Sequence, residues 1–146
     1  MKKEFIDTWL KTEIIRNRQI DIEKIKSLVD SAEINAKVTK VIKINEDTAT
    51  LIFREIYESI RQLGDAKWGL LGFEPSNHGI SMEALKDFDI KDKVKLNSLD
   101  RFKKTRHDVN YRGFRASISQ AEEILDFWNK CGGEIVKILR KEIENK

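Results

Sequence analysis

The sequence predicts an all-α fold, an antiparallel bundle of four to six helices forming one domain over residues 1–146. Three observations predict it. Apolar residues recur at spacings of three, four and seven through most of the chain, and no run alternates with the period of a strand. Only one proline and seven glycines interrupt 146 residues. With 40% hydrophobic and 36% charged residues, the composition is that of a globular domain and excludes collagen-like and disordered classes. A chain of this length buries roughly 68–70% of the surface it exposes when unfolded, enough for its own core.

The elements follow in order. Phe5, Ile6, Trp9 and Leu10 mark a short N-terminal helix. Residues 22–42 place Ile22, Ile25, Leu28, Val29, Ala32, Ala36, Val41 and Ile42 on one side, with Asp21 as the N-cap. Residues 46–63 repeat the pattern through Leu51, Ile52, Ile56, Ile60 and Leu63, with Asn45 as a candidate cap. Gly64 loosens this helix or is absorbed by it, since Ala66, Trp68, Leu70 and Leu71 continue the periodicity. The clearest break is Gly72-Phe73-Glu74-Pro75-Ser76-Asn77, which holds the single proline. A short helix from Ser76 or Asn77 to Phe88 follows, then one from about Leu96 to Tyr111 that stops near Gly113. The last begins at Ser117 or Ser119, each followed three residues later by a capping-box partner, and runs to Lys141 with a kink at Gly132-Gly133.

Charge is distributed unevenly. Between Lys91 and Arg115 stand nine basic residues and three acids, a local surplus of +6, which leaves −3 for the rest of a chain whose net charge is +3. A local basic patch concentrates polyanions, although a charge run is more commonly a solvated helix face. No apolar stretch approaches the roughly 18 residues of a membrane span, and the opening Met1-Lys-Lys-Glu-Phe5 lacks the apolar core of a signal peptide. The expectation is a cytoplasmic protein without a membrane. One cysteine and two histidines supply neither an intramolecular disulfide nor an ordinary structural zinc site, and no metal or cofactor is expected.

Helix 96–111 carries the chemistry. On a wheel of ~100° per residue starting at Leu96, the apolar arc runs from about 220° to 360°, and Arg106 falls inside it at about 280°. Asn110 lies in the arc at about 320°, His107 and Tyr111 just past its edge at about 20° and 60°, and Arg101 on the solvent side near 140°. A guanidinium facing apolar neighbours needs a partner or a wet groove. The ordinary outcome is an Arg paired with a carboxylate from another helix. The functional alternative groups Arg106, His107, Asn110 and Tyr111 as a fixed cation, a group that titrates near neutrality, an amide and a phenol, suited to a phosphodiester.

The stretch Arg101-Phe-Lys-Lys-Thr-Arg-His-Asp-Val-Asn-Tyr-Arg-Gly113 resembles the signature helix of the HEPN superfamily, especially prokaryotic members with an R-polar-x-x-x-(H/Y) pattern. Tyr57 through Leu85 is similar to the family in its order of helix, Gly72-Phe73-x-Pro75 turn and short helix, and the two stretches cover about half the chain. The resemblance implies a HEPN-like bundle that forms a homodimer, with signature helices lining a groove between protomers. It implies either a metal-independent endoribonuclease, often the toxin of a toxin–antitoxin pair, or a non-catalytic partner of a nucleotidyltransferase, a nucleotide or another protein. Carried over, Arg106, His107 and Tyr111 are the catalytic positions, and Lys103, Asn110, Arg112 and Arg101 line the binding surface. Tyr111 stands where the family usually has His. An ordinary phenol, with a pKa near ~10, is a poor general base at pH 7. A second register, Arg101 with His107, turns its arginine away from the apolar arc.

Other residues read as structural. His78 sits in the turn before a short helix, where contact with a ligand is one role open to it and a helix-start or packing role is the commoner one. Cys131 reads as a small buried hydrophobe, and Trp9, Trp68 and Trp128 as core anchors or interface residues.

Overall fold

The computed structural model describes residues 3–146. It is predominantly helical, as the periodicity predicts. The helices are α1 (Lys3–Lys11), α2 (Ile22–Thr39), α3 (Ala49–Leu70), α4 (His78–Ser81), α5 (Leu99–Tyr111), α6 (Ile118–Phe127) and α7 (Gly133–Glu144). No helix among the described residues is long and apolar enough to cross a membrane.

The centre is the antiparallel pair α2 and α3. Asp21 caps α2 by accepting from Lys24 N at 3.1 Å. The small side chains Ala32 and Ala36 let α3 approach closely and bury Ile52, Ile56, Ile60 and Leu63. Asn45 does not cap the long helix. Its carboxamide accepts from Asp47 N and Thr48 N and closes a separate turn, and α3 starts at Ala49. The core extends to the C-terminal helices through an aromatic chain, Phe53 on Phe102 at 6.3 Å and Phe102 on Phe127 at 5.5 Å, both edge-to-face.

Gly64 lies inside α3 and serves a close approach. A Cβ there would sit 2.1 Å from the Ser81 carbonyl oxygen, so glycine lets α4 lie directly on α3. Of the two capping boxes open at the start of α6, Ser117 with Gln120 forms, donors and acceptors reciprocated. The anticipated kink is a π turn over Trp128–Gly132, where a Cβ on Gly132 would meet the Trp128 ring at 2.7 Å.

Two strands were not legible in the alternation pattern. β1 (Ile15–Asn17) pairs antiparallel with β2 (Phe73–Pro75), Ile15 opposite Pro75. Three residues are too few to show a period of two, and their partners lie 56 to 60 positions apart. The ribbon closes over a second apolar cluster, where Trp68 is fully buried under Ile15 and meets Trp9 and Phe73 edge-on. The segment expected as one helix from 76 to 88 is the single turn α4 followed by a 3₁₀ turn, Met82–Leu85. Another 3₁₀ turn, Lys93–Ser98, takes the first residues expected for α5. Cys131 is buried, and burial pushes its thiol up to about 11, which removes it from nucleophilic chemistry near neutral pH.

Candidate functional site

Helix α5 ends at Gly113, whose φ of 71° lets the chain reverse while Phe114 N donates to Asp108 O at 3.3 Å. Along its length the basic residues divide. Arg101 grips Glu123 with two bonds of 3.0 Å on the solvent side. Lys103 reaches Glu83 at 3.0 Å and Asp100 at 3.2 Å and donates to Gly79 O at 3.3 Å, which fastens α5 to the α4 segment. These two cations, expected on the binding surface, are held by internal partners.

Arg106 is different. It is half-buried and points toward α3, where its guanidinium lies 5.5 Å from the centre of the buried Tyr57 ring. It forms no ion pair among the described residues, so the ordinary outcome, a carboxylate from another helix, is not the one realised. A cation over an aromatic face keeps its N–H edge available for an anion.

His107 and Tyr111 are stacked one turn apart with ring centroids at 5.0 Å, on the outer side of the helix. Tyr111 is 71% exposed and Phe114 55%. His107 and Asn110 are also exposed, and neither side chain has a hydrogen-bond partner among the described residues. Arg112 lies over the Phe114 ring at 5.5 Å and reaches Asp108 only at 4.0 Å. The end of α5 is therefore a surface of aromatic rings and under-partnered polar groups.

Beside Arg106 the structure assembles a second group of residues that the sequence did not single out. On α3, Glu58, Arg61 and Asp65 share one face. Arg61 Nε donates to Glu58 at 2.9 Å, and the same guanidinium pairs with Asp65. Ser81, brought onto α3 by Gly64, donates to Asp65 Oδ1 at 2.5 Å. Burial raises the Asp65 carboxyl above the ordinary carboxylate range, against the opposing pull of Ser81 and Arg61. His78 completes the group. Partial burial pushes its imidazole below its ordinary pKa, and the nearby guanidinium groups of Arg61 and Arg106 push the same way. The α4 turn that carries His78 is tied down from several sides. Trp68 Nε1 donates to Ile80 O at 2.8 Å, and Asn77 caps the turn by accepting from Ile80 N at 3.2 Å.

A sequence signal for this group did exist. Glu58, Arg61 and Asp65 are spaced three and four apart, which puts them on one side of a helix whose other side is apolar. What the sequence could not give is which residues of the following turn would meet them.

The chain matches no family model, no curated protein and no solved structure. The functional reading therefore rests on the site itself. In chemical terms the site offers a guanidinium with no ion pair among the described residues, an exposed imidazole at His107, and a second imidazole at His78 whose protonation that guanidinium disfavours.

Proposed function

We propose that this is a HEPN-like, RNA-directed protein acting as a metal-independent endoribonuclease of toxin–antitoxin type, with Arg106, His107 and Tyr111 facing a groove between two protomers. The observation that carries the proposal is the Arg106 guanidinium, half-buried at the bundle surface over Tyr57 without a carboxylate partner. An unpaired cation in such a place is costly unless it serves an anion, and a phosphodiester is the anion that the neighbouring groups suit. In this reading a ribose 2′-hydroxyl attacks the adjacent phosphate in line. His107 transfers the proton, Arg106 stabilises charge on the phosphoryl oxygens, and Tyr111 orients the phosphate.

A second reading is favoured by a separate observation. Tyr111 and Phe114 are large, exposed aromatic residues at one end of α5. Aromatic residues are enriched in protein interfaces, and this end of the helix suits a non-catalytic role in which the protein docks a nucleotidyltransferase or another protein.

The test is incubation of the purified protein with RNA in excess EDTA, beside folded Arg106→Ala and His107→Ala variants. Cleavage leaving 2′,3′-cyclic phosphate ends, reduced about 10²–10³-fold by Arg106→Ala, supports the ribonuclease. Absence of cleavage by a folded, dimeric protein moves the assignment to the docking role. A solution mass of a monomer removes the shared groove.

A further inference from the structure

A cleft of about 320 Å³, lined in part by His78, lies between α2, α3 and the β2–α4 segment. This is the lower end of the range for small-molecule sites, enough for one monomer unit and too little for a dinucleotide. Its apolar wall is formed by Ile25, Leu28, Phe73 and Pro75, with Ile25 seated on Gly69 of α3, where a Cβ would come within 3.0 Å of it. Its polar groups are unequally matched. Every acid in the lining has an internal partner. Asp21 caps α2, Glu74 accepts from Arg16 and Arg18 at 3.1 Å each, and Asp65 is held by Ser81 and Arg61. The Lys24 ammonium at the rim forms no ion pair among the described residues, and the His78 imidazole at the mouth has no hydrogen-bond partner there. Arg106 lies outside the lining but near enough to His78 for its charge to disfavour the protonated imidazole, and it too forms no ion pair among the described residues.

We propose that this cleft is a nucleotide subsite, which takes the base of one ribonucleotide against the Leu28–Phe73–Pro75 wall and its phosphate at His78 and Arg106. The proposal rests on the RNA-directed reading for its choice of a nucleotide among anions with an apolar body. The chemistry of the cleft supplies the rest. A flat aromatic base fits an apolar wall, and a phosphate is the group that donors without partners at the mouth would satisfy. His78, neutral at pH 7 for the reasons given above, takes up a proton readily when a phosphate dianion arrives, because the anion offsets the two guanidinium groups that disfavour the charged imidazole. The cleft thereby gives the groove at α5 a means of holding RNA by a nucleotide neighbouring the scissile phosphate. It also gives His78 a contact with substrate.

Titration calorimetry and proton NMR of the full chain test it, with adenosine, guanosine, cytidine and uridine 3′-monophosphates as probes beside the four nucleosides and inorganic phosphate. At least one 3′-monophosphate should bind more tightly than its nucleoside and more tightly than phosphate. Binding should raise the His78 titration midpoint, and Arg106→Gln should weaken binding by about tenfold, the loss of one charge-assisted contact. Leu28→Trp, which fills the wall, should abolish base preference, while the volume-conserving Leu28→Met retains it. Equal affinity for inorganic phosphate and every nucleotide, or binding that leaves His78 unmoved, overturns the subsite. RNA cleavage without nucleotide binding refutes this cleft and spares the ribonuclease. Nucleotide binding without cleavage sustains the cleft and refutes the catalytic reading.

Discussion

The cations of α5 differ: Arg101 and Lys103 near its start are held by carboxylates, Lys104 is simply exposed, and Arg106 near its end is half-buried with no ion pair among the described residues. In the first half, Arg101 and Lys103 stand beside the buried Leu99 and Phe102 and are each held by carboxylates from other parts of the fold. In the second half, Arg106 turns to the same core-facing side and meets a tyrosine ring, while His107, Asn110 and Tyr111 face outward without polar partners. A helix that only needed to pack would match its charges along its whole length. The division locates folding energy in the first half and recognition chemistry in the second, and five substitutions test it.

The largest effect on stability belongs to the first half. Phe102→Ala removes the ring that links Phe53 to Phe127 and should cost about 3–5 kcal/mol, read as the loss in unfolding free energy in urea. Arg106→Ala gives the complementary outcome. It should cost no more than about 2 kcal/mol of stability, the scale of a partly desolvated cation–π contact, while reducing RNA cleavage about 10²–10³-fold. A stability loss for Arg106→Ala comparable with that of Phe102→Ala would break the comparison and make Arg106 a structural residue.

This contrast was only partly legible in the sequence. The helical wheel places Arg106 on the core side because three-, four- and seven-residue spacings report which face a residue occupies. They do not report what lies opposite, so Tyr57 as the partner, and the absence of a carboxylate, had to come from the packing. Asp65 and Ser81 are 16 positions apart and meet only because Gly64 admits the α4 backbone. As a residue in a helix pattern, Gly64 reads as a weakness; against the Ser81 carbonyl it is a requirement. The paired strands escape for the same reason, since each is too short to carry a period and each is defined by the other.

A smaller effect is expected at the junction of the two chemistries. Ser81→Ala removes the hydroxyl donor to Asp65 and should cost about 1–2 kcal/mol at pH 7. The sign of its pH dependence follows from Asp65. Its folded pKa is raised, so the stability linked to its proton is present below the unfolded pKa near ~3.9 and is lost as pH rises through the folded value. Ser81 opposes that loss by stabilising the ionised carboxylate. The deficit of Ser81→Ala should therefore be greatest at neutral pH and shrink as pH falls through the folded pKa of Asp65, measured by denaturation across that range. A pH-independent deficit would show that the hydroxyl serves packing alone.

The smallest effect is also the most direct reading of the site's field. The His78 proton is disfavoured by burial first, then by Arg61 and Arg106, and favoured by Glu58 and Asp65. Its midpoint in a proton NMR titration should lie below the ordinary ~6.5. Arg106→Gln removes one of the two repelling cations without touching the Arg61 pairs with Glu58 and Asp65, so the midpoint should rise by a fraction of a pH unit. Because the folded pKa is depressed, the stability linked to His78 is present above the unfolded pKa and is lost as pH falls through the folded value. His78→Gln should flatten that part of the stability profile. If Arg106→Gln leaves the midpoint where it was, Arg106 does not share a field with His78, and the exposed end of α5 and the cleft are independent surfaces.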